Sequence, residues 1–248
     1  MENIDCIEGL KKIKDNSIDL CFCDLPYGNK TTALNWDNMI NMEEFSKQIW
    51  RVSKPETPIV FTCNMKFLFQ IVKYMGEKHF KFEIIFEKNN STNPFMAKKR
   101  PMNKHEFIVF FYKKQPQVYT RNIKKYHSET IAQKTYIRNN GQLYDTAKNG
   151  KPEQTFDYKI RLPKSIQKFK IWHCNRINST QKPVELCEFI LKYWSEENMT
   201  ILDPTFGSGT MAVACKKMNR KFIGFETDEI QFKKAIQRVK DTPNTLVK

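Results

Sequence analysis

Apolar residues in this chain gather in short blocks of two kinds, some continuous and some recurring at helical spacing. Ile18–Cys23 and Pro58–Cys63 are continuous runs bounded by polar residues, which predicts strands buried on both faces. Lys81–Glu87, Glu106–Tyr112, Thr200–Asp203 and Lys221–Glu226 read the same way, and Asn3–Ile7 reads as a short strand ahead of them. Helical spacing marks Met42–Val52, where Phe45, Ile49 and Val52 share a stripe, and then Met65–Met75. Further helices are predicted at Pro183–Trp194, with the proline tolerated in the first turn, at Thr210–Met218 and at Asp228–Val239. Seven strands interleaved with helices predict an α/β fold.

From Lys113 to Lys170 the periodicity fades into a polar stretch rich in Asn, Gln, Lys and Tyr. So long a segment without an apolar stripe fits poorly inside a core, and it is expected to form a surface lobe that orders fully on a partner. Three parts follow: residues 1–112, 113–171 and 172–248.

Charge sharpens that division. The 248-residue chain carries 42 Lys and Arg against 27 Asp and Glu, a net +15. Between Lys88 and Lys182 alone stand 21 basic and 5 acidic residues, so this stretch accounts for the whole excess. A polyanion is the natural partner of such a region, because neutralising phosphates releases counterions. Seven cysteines lie mostly inside apolar runs and form no paired ligand motif, which predicts reduced core thiols in a cytoplasmic protein. No run is long and apolar enough for a membrane span or a secretion signal, and His105, His127 and His173 are not spaced as metal ligands.

Two loops carry the chemistry. Asp24-Leu25-Pro26-Tyr27-Gly28 follows the Ile18–Cys23 run, and Asp203-Pro204-Thr205-Phe206-Gly207-Ser208-Gly209-Thr210 follows Thr200–Asp203. In the second, Gly207 and Gly209 let backbone approach a ligand, and the helix start at Thr210 offers unpaired N–H groups. Glu226 closes the next strand 17 residues after Gly209, placed to accept the two hydroxyls of a ribose. In the first, the Asp24 carboxylate and the Pro26 carbonyl are two acceptors for the hydrogens of an exocyclic base amine. Tyr27 offers a face on which an extracted base can stack. Such an amine is a poor nucleophile while its lone pair is conjugated, and two acceptors help it turn pyramidal. Together the loops point to methyl transfer to a nucleobase.

These residues resemble the S-adenosylmethionine-dependent amino-methyltransferases of DNA in their permuted, beta-group order, in which the catalytic motif precedes the cofactor motif. Asp24-Leu25-Pro26-Tyr27 is similar to Asp-Pro-Pro-Tyr, with Leu25 in place of the first proline. Asp203 to Thr210 is similar to Asp-Pro-Phe-x-Gly-Ser-Gly-Thr, with Thr205 and Phe206 departing from it. Asn178-Ser179-Thr180-Gln181-Lys182-Pro183 is similar to His-Pro-Thr-Gln-Lys-Pro. The resemblance implies a Rossmann-like seven-stranded mixed sheet of the class I methyltransferase type, circularly permuted, with a small basic recognition insertion. Residues 1–112 would be its catalytic half, 113–171 the target-recognition segment and 172–248 the cofactor half.

It further implies Asp24, Pro26 and Tyr27 as catalytic residues. Asp5 and Cys6 would contact the cofactor's adenine, Phe206, Gly207 and Gly209 would flank its methionine portion, and Asp203 and Thr210 would also bind the cofactor. Glu226 would hold the ribose, and Thr180 and Lys182 would line the other side. No metal is implied. The leading Asp favours adenine N6, with cytosine N4 as the alternative and an RNA adenine methyltransferase or an inactive nucleic-acid binder further behind. Double-stranded DNA is the implied partner. A homodimer and a cognate restriction endonuclease are common associations of the group, between which and a solitary enzyme the sequence does not choose. Trp36 fits loop packing or a base-pocket wall, and Asn89, Asn90, Asn93 with Lys98-Lys99-Arg100 fit a strand-clamping loop or a solvated turn.

Overall fold

The computed structural model describes residues 1–28, 39–92, 94, 97–119, 163–170, 177, 178 and 180–243. Trp36, Asp37, Asn93, His127, His173, Cys174 and most of the expected recognition segment lie outside the described residues. Met1–Tyr119 and Lys164–Lys248 form one compact unit, and Thr120–Pro163 is assigned to a second.

The first unit is a seven-stranded sheet with helices on both faces. In chain order its elements are α1 (Cys6–Lys11), β1 (Leu20–Cys23), α2 (Met42–Val52), β2 (Ile59–Cys63), α3 (Met65–Met75) and β3 (Phe80–Thr92). They continue with β4 (Asn103–Phe111), β5 (Ile166–Phe169), α4 (Val184–Trp194), β6 (Thr200–Asp203), α5 (Thr210–Lys217), β7 (Lys221–Gly224) and α6 (Glu229–Asp241). The sheet order is β5-β3-β4-β2-β1-β6-β7. β4 pairs antiparallel with both β2 and β3, and every other pairing is parallel, so one reversed strand makes the sheet mixed.

Every residue of β1 and β2 is buried, as continuous apolar strands require when both sheet faces are covered. Cys21, Cys23, Ile59, Phe61, Val109 and Phe111 face one cluster with Leu10 of α1, Phe45 and Ile49 of α2 and Ile71 of α3. On the other face Phe110 packs on Trp194 of α4, ring centroids 4.5 Å apart. Side-chain caps set four helix starts: Asp5 accepts from the Ile7 and Glu8 N–H groups, Asn41 from the Glu44 N–H, Asn64 from the Phe67 N–H and Asp228 from the Gln231 N–H.

Two expectations need correcting. Asn3–Ile7 is not a strand: Asp5 accepts the N–H groups of Ile7 and Glu8 and starts α1, leaving one bridge between Glu2 and Phe225 at the β7 edge. The seventh strand is instead β5, inside the stretch read as lacking pattern, and it pairs with β3 from Ile85↔Ile166 to Lys88↔Phe169. Its burial alternates only weakly, with Ile166 54% exposed, so little apolar signal marks it. In a smaller departure, Pro183 is the N-cap residue of α4 and precedes its first turn.

Candidate active site

β1 and β6 are parallel neighbours, paired Leu20↔Ile201 and Cys21↔Leu202, although 179 residues separate Asp24 from Asp203. The chain leaves β1 toward β2 on one side and leaves β6 toward β7 on the other, so the crevice above their carboxyl ends is the switch point of the sheet. Both motif loops emerge there and touch: the Thr205 hydroxyl donates to the Asp24 carbonyl at 3.1 Å. Around them opens a cleft of about 760 Å³.

Twelve of the thirteen predicted site residues line that cleft: Asp5, Cys6, Asp24, Pro26, Tyr27, Thr180, Lys182, Asp203, Phe206, Gly207, Thr210 and Glu226. Gly209 does not. It has φ +73 as the N-cap residue of α5, and a Cβ there would stand 3.3 Å from the Ala235 Cβ of α6. Its smallness serves the turn and the approach of α5 to α6.

At the catalytic end, Lys182 Nζ donates to both oxygens of Asp24, at 2.8 Å to Oδ1 and 2.9 Å to Oδ2. The Thr62 hydroxyl on β2 donates to Oδ1 as well. Lys182 also lies 3.4 Å from Glu106 Oε2 on β4, whose Oε1 is 2.5 Å from Lys88 Nζ on β3. Four alternating charges thus converge from four parts of the chain. Burial opposes the charge on Lys182, but Asp24 and Glu106 outweigh it and hold its pKa well above the ordinary value. Burial likewise disfavours the Glu106 anion, and Lys182 with Lys88 overcomes this and lowers its pKa. Two polar atoms here are buried without a hydrogen-bond partner among the described residues, Tyr27 Oη and Glu106 Oε2. The Tyr27 ring rests against Phe67, centroids 5.3 Å apart.

At the other end, Phe206 is buried against Phe222 and Phe232, which fixes the turn that presents Gly207 at φ +49. Arg238 of α6 donates to the Ser208 carbonyl at 2.8 Å and to the Thr210 hydroxyl at 3.1 Å. Thr210 therefore ties the loop to α6 as well as lining the cleft. Glu226 accepts the Asp228 N–H at 2.9 Å, and burial raises its pKa despite that bond. Asp203 is buried and accepts the Thr205 N–H, and burial followed by the charge of Asp24 pushes its pKa well up. Burial also pushes the Cys6 thiol up to about 12, so it is a neutral wall. Thr180, outermost, bonds to Asn178 Oδ1.

Glu106, Lys88, Thr62 and Arg238 carry much of this geometry and went unmarked in the sequence. Asn89 and Asn90 line the cleft from the end of β3, whereas Lys98, Lys99 and Arg100 form an exposed turn. Among the described residues no three His, Cys, Asp or Glu side chains gather as a metal site, and no helix is long and apolar enough to cross a membrane.

Comparisons with known proteins place the chain in a family and match its fold. The chain is 25% identical over 95% of its length to type II methyltransferase M.HpaI of Haemophilus parainfluenzae, covering 72% of that protein. It is also 25% identical over 98% of its length to type II methyltransferase M.HinfI of Haemophilus influenzae, covering 69% of it. In fold it is similar to the M1.HpyAVI–SAM complex, with TM-score 0.62 and 24% identity over 96% of this chain and 98% of that one. It is similar too to the cytosine-N4-specific PvuII DNA methyltransferase, with TM-score 0.68 and 14% identity over 98% of this chain and 86% of that one. The family model for N6 and N4 enzymes, described as DNA methylase, matches residues 18–237, and the chain belongs to that family.

Proposed function

We propose that the cleft takes S-adenosylmethionine together with a base extracted from double-stranded DNA, and that the enzyme methylates the N6 amine of adenine. The observation that carries this reading is the meeting of Asp24, the Gly207 turn and Glu226 in one cleft of about 760 Å³, a volume suited to a cofactor and a base together. The residues present fit the cofactor. Glu226, held by neighbouring backbone N–H groups, keeps acceptor capacity for ribose hydroxyls, Asp5 and Cys6 wall the adjoining end, and Gly207 brings backbone without a side chain to the cleft. When bound, S-adenosylmethionine supplies an electrophilic methyl group.

The chain's own residues would prepare the amine. Asp24 Oδ1 already accepts from Lys182 and Thr62, whereas among the described residues Oδ2 accepts from Lys182 alone. Oδ2 is thus the oxygen with a lone pair to offer one amine N–H, and the Pro26 carbonyl takes the other. Held by both, the nitrogen turns pyramidal and its lone pair leaves conjugation. With its lone pair aimed at that methyl group, the nitrogen would form the N–C bond as the thioether leaves with the electron pair of the old bond, and Asp24 would take the proton that the amine then loses. Tyr27, backed by Phe67, gives the base a face to lie on.

The leading Asp of the motif supports adenine. The excess of basic residues across 113–171 supports that segment as the part that engages phosphates and reads the target. The test is to incubate the protein with unmethylated mixed-sequence duplex and isotope-labelled S-adenosylmethionine, digest the DNA and identify the labelled nucleoside. Label in N6-methyladenine is expected. Label in N4-methylcytosine would transfer the reading to the cytosine amine, and absence of label despite cofactor binding would overturn duplex DNA as the substrate.

A further inference from the structure

Glu106 has no place in the chemistry above, yet it is buried beside Asp24 and Lys182 with one oxygen lacking a hydrogen bond among the described residues. Its Oε1 is held by Lys88, while Oε2 stands 3.4 Å from Lys182, beyond a good hydrogen bond but close enough for the ammonium to close. Such an oxygen has an acceptor site still to fill, and it gains when its partner shifts toward it.

The chemistry supplies a reason for the shift. Before transfer the base amine is neutral, and a lysine on Asp24 costs it little. As the N–C bond forms, the nitrogen becomes positive beside Asp24, whose carboxylate is already neutralised by Lys182. Two cations would then compete for one anion. A second carboxylate on the far side of the ammonium removes the conflict.

We infer that Glu106 is a positioning residue of the methyl transfer: it accepts Lys182 as the amine takes up charge, leaving the Asp24 carboxylate to the developing cation. This rests on the proposed reading of the cleft. The four charges of Lys88, Glu106, Lys182 and Asp24 sum to zero at rest, so the reacting nitrogen enters a balanced cluster, and a movement of a few tenths of an ångström redistributes it. Because the demand arises only as the bond forms, the contribution falls on kcat and leaves substrate binding alone.

The test compares the whole protein with Glu106→Gln and Lys88→Gln, at a temperature well below each unfolding midpoint, on duplex DNA that the wild type methylates. Glu106→Gln keeps size and a weak acceptor but removes the charge. Lys88→Gln keeps the charge and loosens its anchor. We expect kcat to fall about tenfold or more in Glu106→Gln and a few-fold in Lys88→Gln. KM for DNA and the calorimetric Kd for S-adenosylmethionine should stay within about twofold. Unchanged kcat in both variants overturns the inference. So does a loss of cofactor affinity that matches the loss of rate, since a purely structural role would produce it. If Glu106→Gln does not fold, Lys88→Gln decides alone by the same criteria. If the wild type transfers no label to any DNA, the reading of the cleft fails and this inference falls with it, an outcome distinct from an active wild type and equally active variants.

Discussion

Asp24 and Asp203 end neighbouring parallel strands, yet their carboxylates are answered in opposite ways. Asp24 meets a lysine ahead of α4 and a hydroxyl on β2, and through that lysine a glutamate on β4. Asp203 meets the N–H of Thr205 two residues on, and Glu226 meets that of Asp228. The proposed catalytic corner is built from charges brought together by the whole fold. The proposed cofactor turn is built from local backbone, with glycines at φ +49 and +73. The difference teaches where each function is vulnerable: a charge change injures the first, a shape change the second.

The largest effect should come from removing the cation between the two carboxylates. Lys182→Met leaves Asp24 and buried Glu106 facing each other without a counter-charge, and should cost on the order of 3–5 kcal/mol in urea unfolding at neutral pH. A loss near zero would show that the charges are better solvated than their burial implies, and would break the contrast.

Next comes shape. Gly209→Val must adopt positive φ and bring a branched side chain against Ala235, where even a lone Cβ would stand at 3.3 Å. A stability loss of about 1–2 kcal/mol is expected, read from the same unfolding curves.

The smallest effects carry a sign that tells the corners apart. Glu106 has a lowered pKa, so its stabilising contribution is present above its unfolded value near 4.5 and is lost as pH falls through the folded one. Asp203 has a raised pKa, so its contribution is present below its unfolded value near 3.8 and is lost as pH rises through the folded one. Glu106→Gln should therefore lower stability at neutral pH and Asp203→Asn should raise it, with both differences shrinking in acid. Unfolding midpoints of the two variants across pH check the signs, and like signs would erase the distinction.

The same contrast explains how much could be read from the chain. The turn at the proposed cofactor end is local: Gly207, Gly209 and Glu226 stand close in the chain, so spacing marked them, and the resemblance added Asp203. The boundaries of α2, α3 and β6 also followed from apolar pattern, because those segments bury one stripe or one continuous run. In the catalytic corner Asp24 and Tyr27 stood in a legible motif, but Glu106 and Lys88 looked like ordinary charges at the solvated ends of strands. Only the pairing of β3 with β4, and of Asp24 with a lysine 158 residues away, gives them meaning. The exchange of Asn3–Ile7 for Ile166–Phe169 has a similar cause. Asp5 turned an apolar run into a helix start, and β5 earns its place by pairing with β3 more than by its own pattern.

On the proposed reading Asp24 serves the reacting amine, and cofactor binding does not need it. Asp24→Ala and the wild type should be compared side by side for S-adenosylmethionine Kd by calorimetry and for transfer of labelled methyl to duplex DNA. Kd should stay equal within about twofold, and transfer should fall about a thousandfold or more in the variant. Transfer at the wild-type rate, or loss of cofactor binding along with transfer, would contradict it.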